Sequence, residues 1–214
     1  QYHRENLLKE NIHPSTIFCT GNATYEAMRE VAPHVDNSKI LSRLNLEPKN
    51  YILVTAHRSE NVDNTEYLHR IIEATGKIVK KFKCEVIYPM HPRTKSKLFD
   101  FEIPKGVRII DPLGFYDFNY LLKKSFCVVS DSGTAAEEGI FYKVPNVSLR
   151  MATERPETVE SGATIISGMK LDNILESIET AISIPWSAKY DFSSNHSPSS
   201  VVVNVIRSQI TNFF

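Results

Sequence analysis

The chain has no surplus of either charge: 25 Lys and Arg balance 25 Asp and Glu across 214 residues. That balance removes the basic footprint of a general nucleic-acid binder. No apolar run approaches the ~20 residues that span a bilayer, so no membrane partner is expected. Cysteine is scarce, odd in number and scattered, at Cys19, Cys84 and Cys127. Each lies in or beside a strand-like apolar run, and together they read as reduced packing residues of a cytoplasmic protein. The start lacks both Met and a basic segment followed by an apolar one, so no signal peptide is read there. QYHRENLLKENI reads instead as the tail of a helix, and the expectation is of a piece from a longer protein. There is no internal repeat and no low-complexity tract.

What is present suits one generous globular domain, with 42% hydrophobic residues available for a core. Short β-branched runs recur as TIFCT (16–20), YILVTA (51–56), CEVIYP (84–89), VRII (107–110), FCVVS (126–130) and NVSL (146–149). Such runs between turn residues predict strands buried on both faces. Between them, Asn64–Phe82 carries apolar residues at helical spacing and ends in lysines, which suit a helix C-terminus. Asp117–Lys124 and Gly133–Tyr142 predict shorter helices, and Leu171–Ile184 a longer one stopped by Pro185. Asp191–Ser200 reads as a polar linker into a last helix, Val201–Phe214. Its terminal Phe213 and Phe214 need cover, either from the chain's own domain or from a partner domain. Strands alternating with helices predict an α/β fold with a parallel sheet and right-handed crossovers.

Ligands of doubly wound sheets bind beyond the carboxyl ends of the strands, and there the sequence is polar where packing does not require it. His57, Arg58, Glu60 and Asn61 follow one strand, His91 and Arg93 the next, and Asp111 the third. SDSG (130–133) follows the fourth, and Arg150 with TERPE (153–157) the fifth. Taken singly these are weak signals. A His after a strand is commonly a loop residue. Arg155 paired with Glu154 or Glu157 on the surface would be worth under about 1 kcal/mol. Several strand ends on one rim that offer Arg, His or free helix N–H groups together describe an anion site. The first N–H groups of a helix lack internal partners and carry the positive end of its dipole. Gly133 permits close backbone approach and Ser132 adds a hydroxyl, as a pyrophosphate requires. A capped helix with no ligand satisfies the same residues. Glu138 lies more than a turn further on, where a carboxylate can accept the hydroxyls of a ribose. Glu137 is offset by about 100° around the helix and reads as solvated.

AHRSEN, PMHP, the spacing from Phe118 to SDSGTAAEE and above all RMATERPETVESG resemble the C-terminal half of the UDP-N-acetylglucosamine 2-epimerase family, and NLLKENIHPSTIFCTGN resembles its interdomain connector. The resemblance covers nearly the whole chain. It implies a Rossmann-like parallel sheet with helices on both faces, as the second half of a two-domain GT-B arrangement. Residues 1–20 would be a connector helix and first strand, and 21–190 the UDP-binding domain. Residues 191–214 would be a linker and C-terminal helix docking on the missing N-terminal domain. It also implies that Ser132, Gly133 and Thr134 face the diphosphate, Glu138 the ribose and Phe118 the uracil, the last largely through its backbone. Arg155 and His57 would reach the diphosphate and sugar, His57 being the catalytic candidate, with Arg58 and His91 in the same cleft. The implied reaction inverts C2 of a UDP-2-acetamido sugar by anti elimination of UDP and re-addition, without metal or redox cofactor. The carboxylates that move the C2 proton belong to the absent domain, and the full-length protein is expected to be a homodimer.

The sequence departs from the family pattern in three places. Thr134 and Ala136 stand where the family carries Gly and Gln, and HRSEN replaces HRREN. SGT with EE resembles the UDP-N-acetyl-L-fucosamine-forming branch, whereas TERPE resembles the N-acetylmannosamine-forming one. Two further readings stand beside the epimerase: the nucleotide half of a GT-B glycosyltransferase, and a non-catalytic nucleotide-sensing module.

Overall fold

The computed structural model describes residues 2–98, 101–186 and 197–210. In chain order the elements are α1 (Tyr2–Lys9), α2 (Ala23–Asp36), α3 (Ile40–Leu44), β1 (Tyr51–Thr55), α4 (Ser59–Val62), α5 (Thr65–Phe82), β2 (Glu85–Pro89) and α6 (Pro92–Lys95). Then come β3 (Val107–Ile110), α7 (Phe115–Lys124), β4 (Cys127–Ser130), α8 (Gly133–Phe141), β5 (Asn146–Ser148), α9 (Pro156–Glu160), β6 (Thr164–Ile166), α10 (Leu171–Ser183) and α11 (Pro198–Ile210). Short 3-10 turns follow α1 and α6.

The six strands form one parallel sheet in the order β3-β2-β1-β4-β5-β6. This is the dinucleotide-fold order, whose direction of winding reverses between β1 and β4. The period-two rule divides the strand side chains between two cores. Ile52 and Val54 of β1, Val86 of β2 and Val129 of β4 pack with Leu68, Ile71 and Ile78 of α5 and Ile174 and Ile178 of α10. Tyr51 and Leu53 of β1, Ile87 of β2 and Val128 of β4 pack with Ile40 and Leu41 of α3, Leu121 and Leu122 of α7 and Ala135 of α8. Each such fully buried aliphatic side chain contributes about 1.5–3 kcal/mol. Helices therefore cover both faces, which is why the strands read as continuous apolar runs.

The chain divides into two compact units, Val31–Tyr190 and a smaller one built from Gln1–Glu30 with Asp191–Phe214. The sheet lies in the first. Within the second, the Glu26 carboxylate of α2 accepts from the Ser199 N–H (2.8 Å) and hydroxyl (3.0 Å) at the start of α11. Val203, Ile206 and Ile210 of α11 are exposed among the described residues. Phe213 and Phe214 lie outside the described residues.

Two sequence expectations need correction, and two elements were not foreseen. TIFCT is not a strand: a 3-10 turn spans Pro14–Thr16, and of the rest Ile17 is buried while Phe18 and Cys19 are exposed. Cys19 is thus not a packing residue, whereas Cys127 is fully buried in the core. The sheet gains β6, and α2 fills a segment that had no predicted element. No described helix is long and apolar enough to cross a membrane.

Candidate functional site

The site is built where the winding of the parallel sheet reverses, at the carboxyl ends of β1, β4 and β5. Asp131, the residue after β4, organises it. Its carboxylate is fully buried and accepts from the backbone N–H groups of His57 (3.1 Å) and Arg58 (2.9 Å) and from Asn61 Nδ2 (3.0 Å). Asn61 also donates to the Leu149 carbonyl at 3.2 Å. One carboxylate and one amide thus bind three strand ends together. The His57 ring lies beside the same group, Nδ1 at 3.6 Å from Asp131 Oδ1, with its side chain 55% exposed. Asp131 was not among the sequence candidates. Its signal was a carboxylate closing an apolar strand, and the N–H groups it binds come from a strand over seventy residues earlier.

The SDSG turn follows. Ser132 is the N-cap of α8, its Oγ accepting from the Ala135 N–H at 3.3 Å. The Ser132 N–H donates to Ser130 Oγ at 2.9 Å. The Gly133 and Thr134 N–H groups remain at the head of the helix, where no intrahelical partner exists. Thr134 is exposed.

Arg155, leading into α9, lies across this head. A Cβ built on Gly133 would stand 3.2 Å from Arg155 Nε and 3.1 Å from Glu154 Oε1. Arg155 Nη1 meets Glu137 Oε2 at 2.6 Å, with Glu154 Oε1 3.8 Å from its Nε. The solvated reading of Glu137 is therefore overturned: its side chain is 8% exposed, covered by a guanidinium from a distant loop that local helical geometry does not reveal. Arg150 comes from the end of β5 and meets Glu154 at 2.5 Å. That hydrogen bond is the main reason the Glu154 carboxyl is held down at about 2. Arg58 pairs with Glu60 at 2.9 Å.

Glu138 is buried one turn beyond Thr134, between α8 and α7. Desolvation pushes its carboxyl up to about 7, and the neighbouring Glu137 adds to the rise. A hydrogen bond with the Asn119 side chain opposes both. An ionised Glu138 is thus a costly buried acceptor in want of donors. Phe118, adjacent to Asn119, packs partly buried against the core, and its N–H donates to Gly114 O at 2.9 Å. His91 stands at the end of β2 as the N-cap of α6, Nδ1 accepting from the Arg93 N–H at 3.2 Å. No hydrogen bond or ion pair joins it to the α8 head among the described residues. The arrangement thus gathers Ser132, Gly133, Thr134 and Arg155, and sets Glu138 with α7 one turn away. It links His57 and Arg58 to the α8 turn through Asp131 and leaves His91 on the next strand end. Chemically the arrangement can seat an anion, with a carboxyl acceptor beyond it.

Known proteins share this frame. The family profile described as UDP-N-acetylglucosamine 2-epimerase matches residues 1–200. A UDP-N-acetylglucosamine 2-epimerase of Methanocaldococcus jannaschii is 34% identical over 208 residues, covering 93% of this chain and 57% of its own. The crystal structure of the Methanocaldococcus jannaschii UDP-GlcNAc 2-epimerase in complex with UDP-GlcNAc and UDP superposes with a TM-score of 0.86 at 33% identity, over 95% of this chain and 58% of that one. A spinosyn rhamnosyltransferase, at a TM-score of 0.56 and 15% identity over 74% of this chain and 46% of its own, shares the fold alone. The α/β fold is that of the C-terminal half of GT-B proteins, and the chain spans about half the length of the curated relatives it matches. This chain belongs to the UDP-N-acetylglucosamine 2-epimerase family.

Proposed function

We propose that this chain is the UDP-binding half of an epimerase that inverts C2 of a UDP-2-acetamido sugar. The observation that carries the reading is the spacing along α8. N–H groups without intrahelical partners and Arg155 lie at its head, and the buried Glu138 carboxyl follows one turn on. The diphosphate would sit on the Gly133 and Thr134 N–H groups beside Arg155, with Ser132 at its edge. The ribose hydroxyls would donate to Glu138, and the uracil would lie by Phe118. His57, Arg58 and His91 would line the cleft on the sugar side.

In the reaction, a base removes the C2 proton as the C1–O bond breaks. The electron pair of the C2–H bond becomes the C1–C2 double bond of a 2-acetamidoglucal, and UDP departs with the bonding pair. Re-addition of UDP and return of a proton to the opposite face complete the inversion. The α8 head stabilises the charge that develops on the departing diphosphate, the group of an elimination most in need of preorganised donors. His57, its ring half exposed beside Asp131, is the candidate on this chain for contact with the leaving group. The base that takes the C2 proton belongs to the other half of the protein, as does the homodimer contact. Residues 191–214 would dock on that half, and the free thiols fit a cytoplasmic enzyme supplying polysaccharide synthesis.

Two experiments test the reading. Calorimetry with UDP should show binding that Ser132→Ala and Glu138→Ala weaken; if neither does, the site assignment fails. The full-length protein, given UDP-N-acetylglucosamine alone in D2O, should exchange and invert C2 by NMR. A glycosyltransferase would leave C2 untouched without an acceptor. The present chain should bind UDP without turnover.

A further inference from the structure

Two arginines meet the positive end of a helix dipole at the head of α8. Arg155 lies on the positive end of a helix dipole, the end that disfavours cations. Glu137 offsets it at 2.6 Å. Arg150, with 9% of its side chain exposed, has Nη1 buried without a hydrogen-bond partner among the described residues. Among these groups stands the carboxylate of Glu154. One oxygen is 2.5 Å from Arg150 Nη2, and the other is 3.8 Å from Arg155 Nε and 3.1 Å from the Cβ position on Gly133. Glu154 is held at that tip, while 54% of its side chain is exposed.

We propose that Glu154 is a built-in anion that occupies the head of α8 in the empty protein and competes there with the incoming nucleoside diphosphate. The inference rests on the UDP-site reading above and adds to it the residue that sets affinity. Arg155, the helix end and the Arg150 Nη1 together suit an anion with more oxygens than one carboxylate can offer. A diphosphate has them. On its arrival the exposed stem of Glu154 swings outward, and Arg150 and Arg155 pass from carboxylate to phosphate oxygens. When the nucleotide leaves, the carboxylate returns, so two arginines and a helix end are never left bare together. The carboxyl, held at about 2 by Arg150, stays ionised at every working pH. The competition is therefore constant and is not a pH switch.

The test is calorimetry of this chain with UDP, UMP and uridine, on the wild type and Glu154→Gln. The amide keeps the shape and an acceptor for Arg150 but removes the charge. UDP should bind about five-fold tighter to the variant, the size of one screened charge interaction. UMP should gain less, and uridine, which lacks the anion, nothing. Glu73→Gln makes the same change in net charge on α5, where Glu73 meets Lys77 at 3.4 Å, and should leave UDP affinity unchanged. Glu154→Ala supplies the same measurement should the amide disturb Arg150. If the wild type binds UDP and both Glu154 variants bind it equally or more weakly, Glu154 is no competitor and the UDP site stands. Equal tightening by Glu73→Gln would also overturn the proposal. If no protein in the set binds UDP, the site and the competitor fall together.

Discussion

Replacing Glu138 by Gln should make the empty protein more stable above neutral pH while making it a poorer UDP binder. Burial holds the Glu138 carboxyl at about 7, against 4.5 for an ordinary glutamate. Between those values the unfolded chain has released its proton and the folded protein still holds it. The folded state therefore binds more protons, and stability falls as pH rises. The contribution is fully present below 4.5 and lost as pH passes through about 7. At roughly 1.4 kcal/mol per pH unit, the loss approaches about 3 kcal/mol by pH 8.5. Gln has no charge to desolvate and does not titrate. Urea midpoints at pH 5 and pH 8.5 should therefore show the variant close to wild type at the lower pH and about 2–3 kcal/mol more stable at the higher. Histidine and other titrations are common to both proteins and cancel in the difference. UDP should bind the variant roughly ten-fold more weakly, since a neutral amide accepts less strongly from ribose hydroxyls than a carboxylate does. A variant that is equally displaced from wild type at both pH values would refute the reasoning, because the stability change would then owe nothing to the buried charge.

Gly133→Ala should leave the melting temperature within a few degrees, because its Cβ meets movable side-chain ends, Glu154 Oε1 at 3.1 Å and Arg155 Nε at 3.2 Å. It should weaken UDP roughly ten-fold by calorimetry, since close backbone approach at a helix head is what the glycine supplies. Asp131→Asn leaves three donors with a poorer partner; urea unfolding should show a loss of about 2–4 kcal/mol. An unchanged midpoint would mean that Asp131 does not hold the strand ends. Arg155→Ala takes from the buried Glu137 carboxylate, 8% exposed, the guanidinium it meets at 2.6 Å. It should cost about 3 kcal/mol at pH 7, most of it recovered in the double variant with Glu137→Gln.

Sequence reasoning located β1 to β5 because each lies in a short run rich in β-branched and apolar residues, fully buried in β1 and β4 and only partly so in the edge strand β3. It missed β6, a short edge strand whose Ile165 and Ile166 are only partly buried. It passed over α2, where Pro33 sits inside the helix and argues locally against one. TIFCT misled because β-branched and aromatic residues carry strand propensity whether or not a sheet is present to pair with them. At the site, Ser132, Gly133 and Glu138 were legible because they lie on one short helix, whose geometry turns sequence spacing into distance. Glu137 and Asp131 were not, since their partners Arg155 and the His57–Asn61 segment are near them only after folding. The tension at Arg150, a nearly buried guanidinium with a nitrogen to spare, likewise belongs to the tertiary structure.

The most direct test of the central claim is a crystal structure of this chain with UDP bound. The account expects the diphosphate on the Gly133 and Thr134 N–H groups beside Arg155, with the ribose hydroxyls on Glu138. UDP bound elsewhere on the chain, or a diphosphate away from the head of α8, would contradict it.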